Sequence, residues 1–166
     1  MRLLTLALIA LLPLLANAAV APSTSQKAIF AGGCFWCTES DFEKIPGVIS
    51  AISGYTGGRV ARPSYEQVSS GSTGHTEAVE VLFDPSKISY AQLLEKFWHS
   101  IDPTVKDQQF CDHGSQYRSG IYPLNAEQLK AAEASKAALV KSGVLPNVFT
   151  EIVPASAFWP AEDYHQ

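Results

Sequence analysis

The 166-residue sequence lacks any cluster of Lys and Arg, has only three cysteines and contains no internal repeat or low-complexity tract after its first residues. Twelve basic side chains stand against sixteen acidic ones, and this balance argues against nucleic acid or an anionic membrane as partner. Three cysteines cannot form a disulfide framework, so at least one thiol is free for part of the time. A free thiol suggests chemistry more than cross-linking.

Long hydrophobic runs are also absent, except at the N-terminus. The positive charge of Arg2 is followed by an apolar run over residues 3–15, too short to span a bilayer, and then by the small-x-small sequence Ala16-Asn17-Ala18. This order predicts a signal peptide over residues 1–18, export to the periplasm and no membrane association after cleavage. Residues 19–166 remain, which is enough for one domain of ordinary size.

Strand and helix patterns alternate along the mature chain. Strand patterns cover residues 27–31, 48–55, 77–83, 118–123 and 148–153, and helix patterns cover residues 38–45 and the segments after the capping residues Ser89 and Asn125. Because two strands follow each other in the middle of the chain, the sequence predicts an α+β fold, a two-layer sandwich with helices packed on a mixed sheet. The irregular stretch over residues 100–116 has a length typical of functional or disordered loops.

The most informative segment is Gly32-Gly33-Cys34-Phe35-Trp36-Cys37. A strand, two glycines and a helix place Cys34 near a helix N-terminus. There the free N–H groups and the helix dipole stabilise a thiolate, so we expect the thiol pKa to be lowered from about 8.5 by one unit or more. Cys37 lies on the same helical face and can reach Cys34. A nucleophilic thiol with a second thiol in reach can pass through a sulfenic acid to a disulfide.

Other interpretations of these cysteines stay open at this point. Cys34 and Cys37 could form a zinc site with Cys111 and His113, although two large rings between the first two cysteines suit a metal poorly. A stable structural disulfide would leave the rings and the glycines unexplained. A thiol–disulfide oxidoreductase acting on protein disulfides is a further alternative, since Cys-x-x-Cys is its usual signature.

Five segments together resemble those of the A-type peptide methionine sulfoxide reductases, and the resemblance covers residues 28–166. The segments are Gly33-Cys-Phe-Trp36, Gly54-Tyr-Thr-Gly-Gly58, Gly74-His-Thr-Glu-Ala78, Asp112-His-Gly-Ser-Gln-Tyr-Arg-Ser119 and Ala161-Glu-Asp-Tyr-His-Gln166. The resemblance implies an enzyme that reduces the S epimer of methionine sulfoxide in oxidised proteins and in free form. It also implies that the enzyme needs no metal or cofactor and is recycled by a thioredoxin-like reductant.

The resemblance assigns roles to the side chains around the first cysteine. The Cys34 thiolate attacks the sulfoxide sulfur and becomes a sulfenic acid. Phe35 and Trp36 are expected to enclose the S-methyl group, a role that suits apolar rings. The hydroxyls of Tyr65 and Tyr117 are expected to bind the sulfoxide oxygen.

Glu77 matches the general acid of the family, while Asp112 and the neighbouring His113 are expected to line the substrate pocket. Strand alternation supports the role of Glu77, because it places this carboxyl on the same face as Val79, Val81 and Phe83. Burial there would raise the pKa of Glu77 toward about 6–7. A solvated glutamate at the strand end is equally compatible with the alternation alone, and the motif match decides between the two.

The cysteine pattern departs from the common family pattern. Position 37 is often glycine in the family, with resolving cysteines near the C-terminus, whereas this sequence has Cys37 and ends without a cysteine-bearing tail. We therefore expect Cys37 to resolve the Cys34 sulfenic acid, with the participation of Cys111 left open. The departure also puts any C-terminal contribution to the pocket in doubt.

Cleavage before Ala19 is the first testable prediction. The apolar run and the Ala16-Asn17-Ala18 sequence lead us to expect that the exported protein begins at Ala19. N-terminal sequencing of the protein recovered outside the cytoplasm checks this. An exported product that still begins at Met1 would contradict it.

Overall fold

The computed structural model describes residues 24–166, and the predicted signal peptide lies outside them. The strands are β1 (Gln26–Gly32), β2 (Val48–Thr56), β3 (Thr76–Phe83), β4 (Gln108–Gln109), β5 (Asp112–His113), β6 (Ser119–Ile121), β7 (Glu151–Ile152) and β8 (Trp159–Pro160). The helices are α1 (Phe35–Glu43), α2 (Tyr65–Ser69), α3 (Tyr90–Ser100) and α4 (Ala126–Lys141), and two 3₁₀ turns cover Ser115–Tyr117 and Asp163–His165. Within this part of the chain, no helix is both long and apolar enough to cross a membrane.

Six strands form one sheet in the order β7-β6-β1-β3-β2-β8. The β6–β7 pair is parallel and the other four pairs are antiparallel. The sheet is therefore mixed, and the predicted α+β sandwich is confirmed. The strands β4 and β5 form a separate two-stranded hairpin.

The main core lies between the sheet and the helices α1, α3 and α4. Its centre is Phe30 on β1, whose ring stacks on Phe42 of α1 at a centroid distance of 4.9 Å and on Phe97 of α3 at 5.1 Å. Burying each of these rings contributes roughly 1.5–3 kcal/mol. The adjacent residues Ile29 and Ala31 face the other side of the sheet, as strand alternation requires, and pack there in a smaller apolar cluster.

Strand β3 brings a carboxyl group into this core. Glu77, Val79, Val81 and Phe83 are all almost completely buried, whereas Glu80 and Leu82 between them are partly exposed. Ala78 is also buried, in the smaller cluster on the other face of the sheet, so burial alternates along β3 only from Val79 onward. Glu77 itself is buried, as expected. Because β3 pairs with both β1 and β2, its first residues lie at the middle of the sheet, beside the start of α1.

Several predicted boundaries and elements are wrong. Helix α1 begins at Phe35, three residues before the predicted start at residue 38. The segment after Pro63, predicted to be a loop, contains α2, which opens with a capping box between Ser64 and Gln67. The last predicted strand shortens to β7, and β8 was not predicted because its two residues are too few to show a period.

Candidate active site

Cys34 is the residue that immediately precedes helix α1. Gly33 directs it there with a φ of 91°, a conformation that favours glycine, and a side chain at Gly33 would collide with Gln109 of β4. The carbonyl of Cys34 accepts hydrogen bonds from the backbone N–H of Thr38 at 3.2 Å and from its hydroxyl at 3.3 Å. The backbone at Cys34 is therefore held between the sheet, the first turn of α1 and the β4–β5 hairpin.

The electrostatics of Cys34 differ from the prediction. Partial burial raises the pKa of this thiol above its ordinary value of 9.0, while hydrogen bonds from the backbone N–H groups of Cys37 and Trp36 act in the opposite direction without cancelling it. The nearby Cys37 and Glu77 add to the increase. The predicted lowering is wrong because the helix N-terminus was considered without the loss of solvent. The thiol is protonated at neutral pH when the site is empty.

Glu77 lies directly against the start of the same helix. Its Oε2 accepts a hydrogen bond from the backbone N–H of Phe35 at 2.9 Å, and the residue is 2 % exposed. Burial raises the pKa of Glu77 to about 7, the Phe35 N–H opposes this, and the charge of Asp112 adds to it. The carboxyl therefore exchanges its proton near neutral pH, as a general acid must.

An aromatic wall stands beside Cys34. Phe35 is buried, Trp36 is 52 % exposed, and their ring centroids are 6.1 Å apart. The ring of His165 packs on both, at 5.0 Å from Phe35 and 5.3 Å from Trp36. The Trp36 indole N–H also donates to the carbonyl of His165 at 3.0 Å, which fixes the orientation of the exposed ring.

The two tyrosines expected to bind the sulfoxide oxygen lie near this cluster. The ring of Tyr65, the first residue of α2, is 6.3 Å from Phe35. Partial burial raises the pKa of Tyr117 to about 12, and the charges of Glu77, Tyr65, Asp112 and Cys34 contribute in that order. These couplings place Tyr117 among those four groups.

The structure thus brings together seven of the nine residues predicted for the site, namely Cys34, Phe35, Trp36, Tyr65, Glu77, Asp112 and Tyr117. Cys37 lies one turn into α1 with an exposed side chain, while its backbone N–H faces Cys34. His113 is exposed on β5 and contacts Gln108 through Nδ1 at 3.1 Å, so no contact found among the described residues joins it to the cluster.

The remaining cysteine, Cys111, is exposed in the turn between β4 and β5. Among residues 24–166, no group of three or more His, Cys, Asp and Glu side chains is arranged to hold a metal ion. The zinc site considered for Cys34, Cys37, Cys111 and His113 therefore has no support in this part of the chain.

Three residues of the site were missed from the sequence: Tyr55, Glu162 and His165. Tyr55 has no predicted role beyond its place in the matched segment at residues 54–58, yet it is fully buried opposite Glu77, and its hydroxyl donates to Glu162 at 2.9 Å. His165 likewise has no predicted role beyond the matched segment at its position, yet it is buried within the aromatic wall. The matched segment at residues 161–166 was the only signal for Glu162 and His165. It shows that the C-terminal residues do contribute to the site.

A thiol before a helix, a buried carboxyl at the same helix start and an aromatic wall define an enzyme that uses a cysteine nucleophile on a small, partly apolar group. Comparison with known proteins specifies the class further. A family model described as peptide methionine sulfoxide reductase matches residues 26–166. The chain belongs to the peptide methionine sulfoxide reductase family, and it is an oxidoreductase that reduces methionine sulfoxide.

Similar proteins agree with this assignment. The peptide methionine sulfoxide reductase MsrA of Limosilactobacillus reuteri is 55 % identical over 141 residues, which cover 84 % of this chain and 81 % of that protein. The solved structure of methionine sulfoxide reductase A of Corynebacterium diphtheriae aligns with a TM-score of 0.77 and 33 % identity, covering 89 % of this chain and 74 % of that one. Reduced Mxr1 of Saccharomyces cerevisiae aligns with a TM-score of 0.79 and 31 % identity, and the alignment covers 88 % of this chain and 84 % of that one.

The raised pKa of Glu77 predicts a pH dependence of stability. The folded-state pKa is about 7, above the ordinary 4.5. The neutral carboxyl therefore contributes stability that is fully present below pH 4.5 and is lost as the pH rises through 7. One pKa unit corresponds to about 1.4 kcal/mol. Because the amide in Glu77→Gln does not titrate, the free energy of unfolding of this variant should rise by roughly 2–3 kcal/mol relative to that of the wild type between about pH 4.5 and pH 8.

Urea unfolding at both pH values measures this difference. Val79→Ala is the control, because it loses packing on the same strand face without removing an ionisable group, so its deficit should be the same at both pH values. A Glu77→Gln difference that does not change with pH would show that the carboxyl titrates at its ordinary value.

Proposed function

We propose that the cluster around Cys34 reduces the S epimer of methionine sulfoxide by direct attack of the Cys34 sulfur. The observation that carries this proposal is the hydrogen bond from the Phe35 N–H to Glu77, which places a carboxyl of pKa about 7 at the same helix start as the thiol. A nucleophile and a proton donor side by side are what the reduction needs, because the sulfoxide oxygen must be protonated as it leaves sulfur.

Cys34 and Glu77 together supply the proton that the reaction needs. The Cys34 thiol is protonated in the empty site, so its proton passes to the ionised form of Glu77 as the sulfur attacks. Glu77 then donates that proton to the sulfoxide oxygen. The S–O bond of the substrate breaks and a new S–O bond forms on Cys34, so methionine sulfur is reduced by two electrons and Cys34 is oxidised to a sulfenic acid.

The surrounding side chains suit the two ends of the substrate group. The rings of Phe35 and Trp36 offer an apolar wall to the S-methyl group. The hydroxyls of Tyr65 and Tyr117 are the donors for the sulfoxide oxygen, and burial keeps the pKa of Tyr117 near 12, so this hydroxyl retains its proton. Asp112 lies close enough to Glu77 to raise its pKa, which supports a place for Asp112 beside the bound sulfoxide.

Cys37 completes the first half of the cycle. Its thiol attacks the Cys34 sulfenic acid, an S–S bond forms and water leaves with the sulfenic oxygen. Its position one helical turn from Cys34 supports this step, since no loop has to move before attack. Cys111 is the alternative, because the β4–β5 hairpin packs against the start of α1 through Gln109 and Gly33.

A dithiol reductant of thioredoxin type returns the disulfide to the two thiols. A solved structure of yeast Mxr1 in complex with Trx2 has the same fold as this chain, with a TM-score of 0.61 at 22 % identity. The predicted signal peptide places the reaction outside the cytoplasm, where we expect the donor to be a thioredoxin-like protein of the periplasm. The cellular role that follows is repair of oxidised methionine in exported proteins.

Glu77→Gln tests acid catalysis. The amide has the same shape and still accepts from the Phe35 N–H, but it cannot supply a proton. Formation of the Cys34 sulfenic acid in a single turnover at neutral pH should slow by about a hundredfold. The loss should be smaller at low pH, where solvent supplies the proton. A rate equal to that of the wild type at neutral pH would remove Glu77 from the mechanism.

Cysteine variants test the resolving step. Without reductant, Cys37→Ser should yield about one methionine per enzyme and then stop as a sulfenic acid. Cys111→Ser should turn over nearly normally with a thioredoxin-like donor, and Cys34→Ser should be inactive.

Mass spectrometry of the oxidised wild type should show a Cys34–Cys37 bond with Cys111 reduced. A dominant Cys34–Cys111 bond after one turnover would assign the resolving role to Cys111. A dominant Cys37–Cys111 bond would instead indicate a relay through all three thiols. Either result would contradict direct resolution by Cys37 as the final step.

A further inference from the structure

Glu162 uses both of its carboxylate oxygens on residues beside the aromatic wall. Oε1 accepts a hydrogen bond from the backbone N–H of Tyr65 at 2.8 Å, and Oε2 accepts one from the hydroxyl of Tyr55 at 2.9 Å. Glu162 lies two residues after β8, so these bonds cross 97 and 107 positions of the sequence. One side chain therefore joins the C-terminal segment, α2 and β2.

The Tyr65 N–H has no partner within its own helix. Helix α2 has five residues, and the first backbone N–H groups of any helix lack an intrahelical acceptor. The capping box satisfies two of them, since the Ser64 hydroxyl accepts from the Gln67 N–H and the Gln67 side chain accepts from the Ser64 N–H. Tyr65 stands between those two residues, and Glu162 supplies the acceptor that the capping box does not.

The position of the Tyr65 backbone determines where its hydroxyl lies. The ring is packed at 6.3 Å from Phe35 and 4.5 Å from His165, so it has little freedom to turn independently of its backbone. Its hydroxyl lies close enough to Tyr117, the other proposed donor to the sulfoxide oxygen, to contribute to the raised pKa of Tyr117. A shift of this one-turn helix would therefore move one donor away from the other.

Glu162 is itself held in place. Tyr55 is fully buried on β2 and pairs with Glu77 across the sheet, so the second hydrogen bond fixes the carboxylate to the strand next to the proposed acid. Burial acts to raise the pKa of Glu162, but the hydrogen bonds from the Tyr65 N–H, from its own backbone N–H and from the Tyr55 hydroxyl, together with the nearby His165, outweigh burial and lower the pKa. The group is thus ionised at neutral pH, and its hydrogen bonds are of the stronger, charge-assisted kind.

We propose that Glu162 is a positioning residue, which holds the Tyr65 hydroxyl in place for the sulfoxide oxygen through the Tyr65 backbone amide. This inference rests on the role proposed above for Tyr65. Glu162 acts through Tyr65 and not on the sulfoxide, so its removal should have no effect of its own once the Tyr65 hydroxyl is gone.

A double-mutant cycle tests this claim. Single-turnover kcat/KM for a methionine sulfoxide peptide is measured for the wild type, Glu162→Ala, Tyr65→Phe and the double variant. Glu162→Ala should lower kcat/KM by about tenfold, the effect of losing roughly one oriented hydrogen bond. The double variant should match Tyr65→Phe to within about twofold.

Two further variants separate positioning from charge and from folding. Glu66→Ala removes a carboxylate from the next position of the same helix, one that is fully exposed, so kcat/KM should stay within about twofold of the wild type. Glu162→Gln keeps the shape and one acceptor, so it should lose only about threefold. If thermal unfolding shows that Glu162→Ala is not folded, the cycle is completed with Glu162→Gln.

The outcomes distinguish this inference from the proposed function. If the losses of Glu162→Ala and Tyr65→Phe multiply in the double variant, Glu162 acts independently of the Tyr65 hydroxyl and the inference is overturned alone. If Tyr65→Phe has the kcat/KM of the wild type, the role of Tyr65 fails and the inference fails with it. If Glu66→Ala loses as much kcat/KM as Glu162→Ala, the loss comes from removing a negative charge near the site, and the positioning role of Glu162 is overturned.

Discussion

The hydrogen bond from the Phe35 N–H to Glu77 is the contact on which the site depends. It joins strand β3 to the first turn of α1 across 42 positions of the sequence, and it sets the proposed acid directly beside the cysteine. Two opposing forces meet in this bond. The N–H favours the ionised carboxylate, whereas the loss of water favours the neutral acid, and burial dominates to give a pKa of about 7. A more exposed carboxyl in this place would ionise too readily to donate a proton.

Burial also determines the pKa of the cysteine. A helix N-terminus alone would stabilise a thiolate, but Cys34 is partly removed from water and lies near a second thiol and Glu77, so its pKa is raised. Since the thiolate is the reactive form, an empty site holds a thiol of low reactivity toward oxidants in general. In the proposed reaction the ionised form of Glu77 accepts the thiol proton and passes it to the sulfoxide oxygen, so the substrate supplies the final proton acceptor.

The sequence was informative where the determining contacts are local or periodic. The alternation in β3 was compatible with a buried Glu77, and the match to the family motif decided for burial, which the structure shows. The capping box at Ser89 predicted the start of α3, which the structure shows with both of its hydrogen bonds. The start of α1 was misplaced because Glu77, distant in the chain, accepts its first N–H. The site functions of Glu162 and His165 depend on where the C-terminal segment packs, and no local pattern encodes that position. Burial of Cys34 likewise arises from tertiary packing.

Infrared titration of the Glu77 carboxyl tests the central claim most directly. The signal is the difference between wild type and Glu77→Gln in the substrate-free protein, followed from about pH 5 to about pH 9, because the protonated and ionised carboxyl absorb at different frequencies. The account predicts a protonated carboxyl at the lower pH that disappears with a midpoint near 7. A carboxyl that is already mostly ionised at about pH 5, as an exposed glutamate would be, would contradict it.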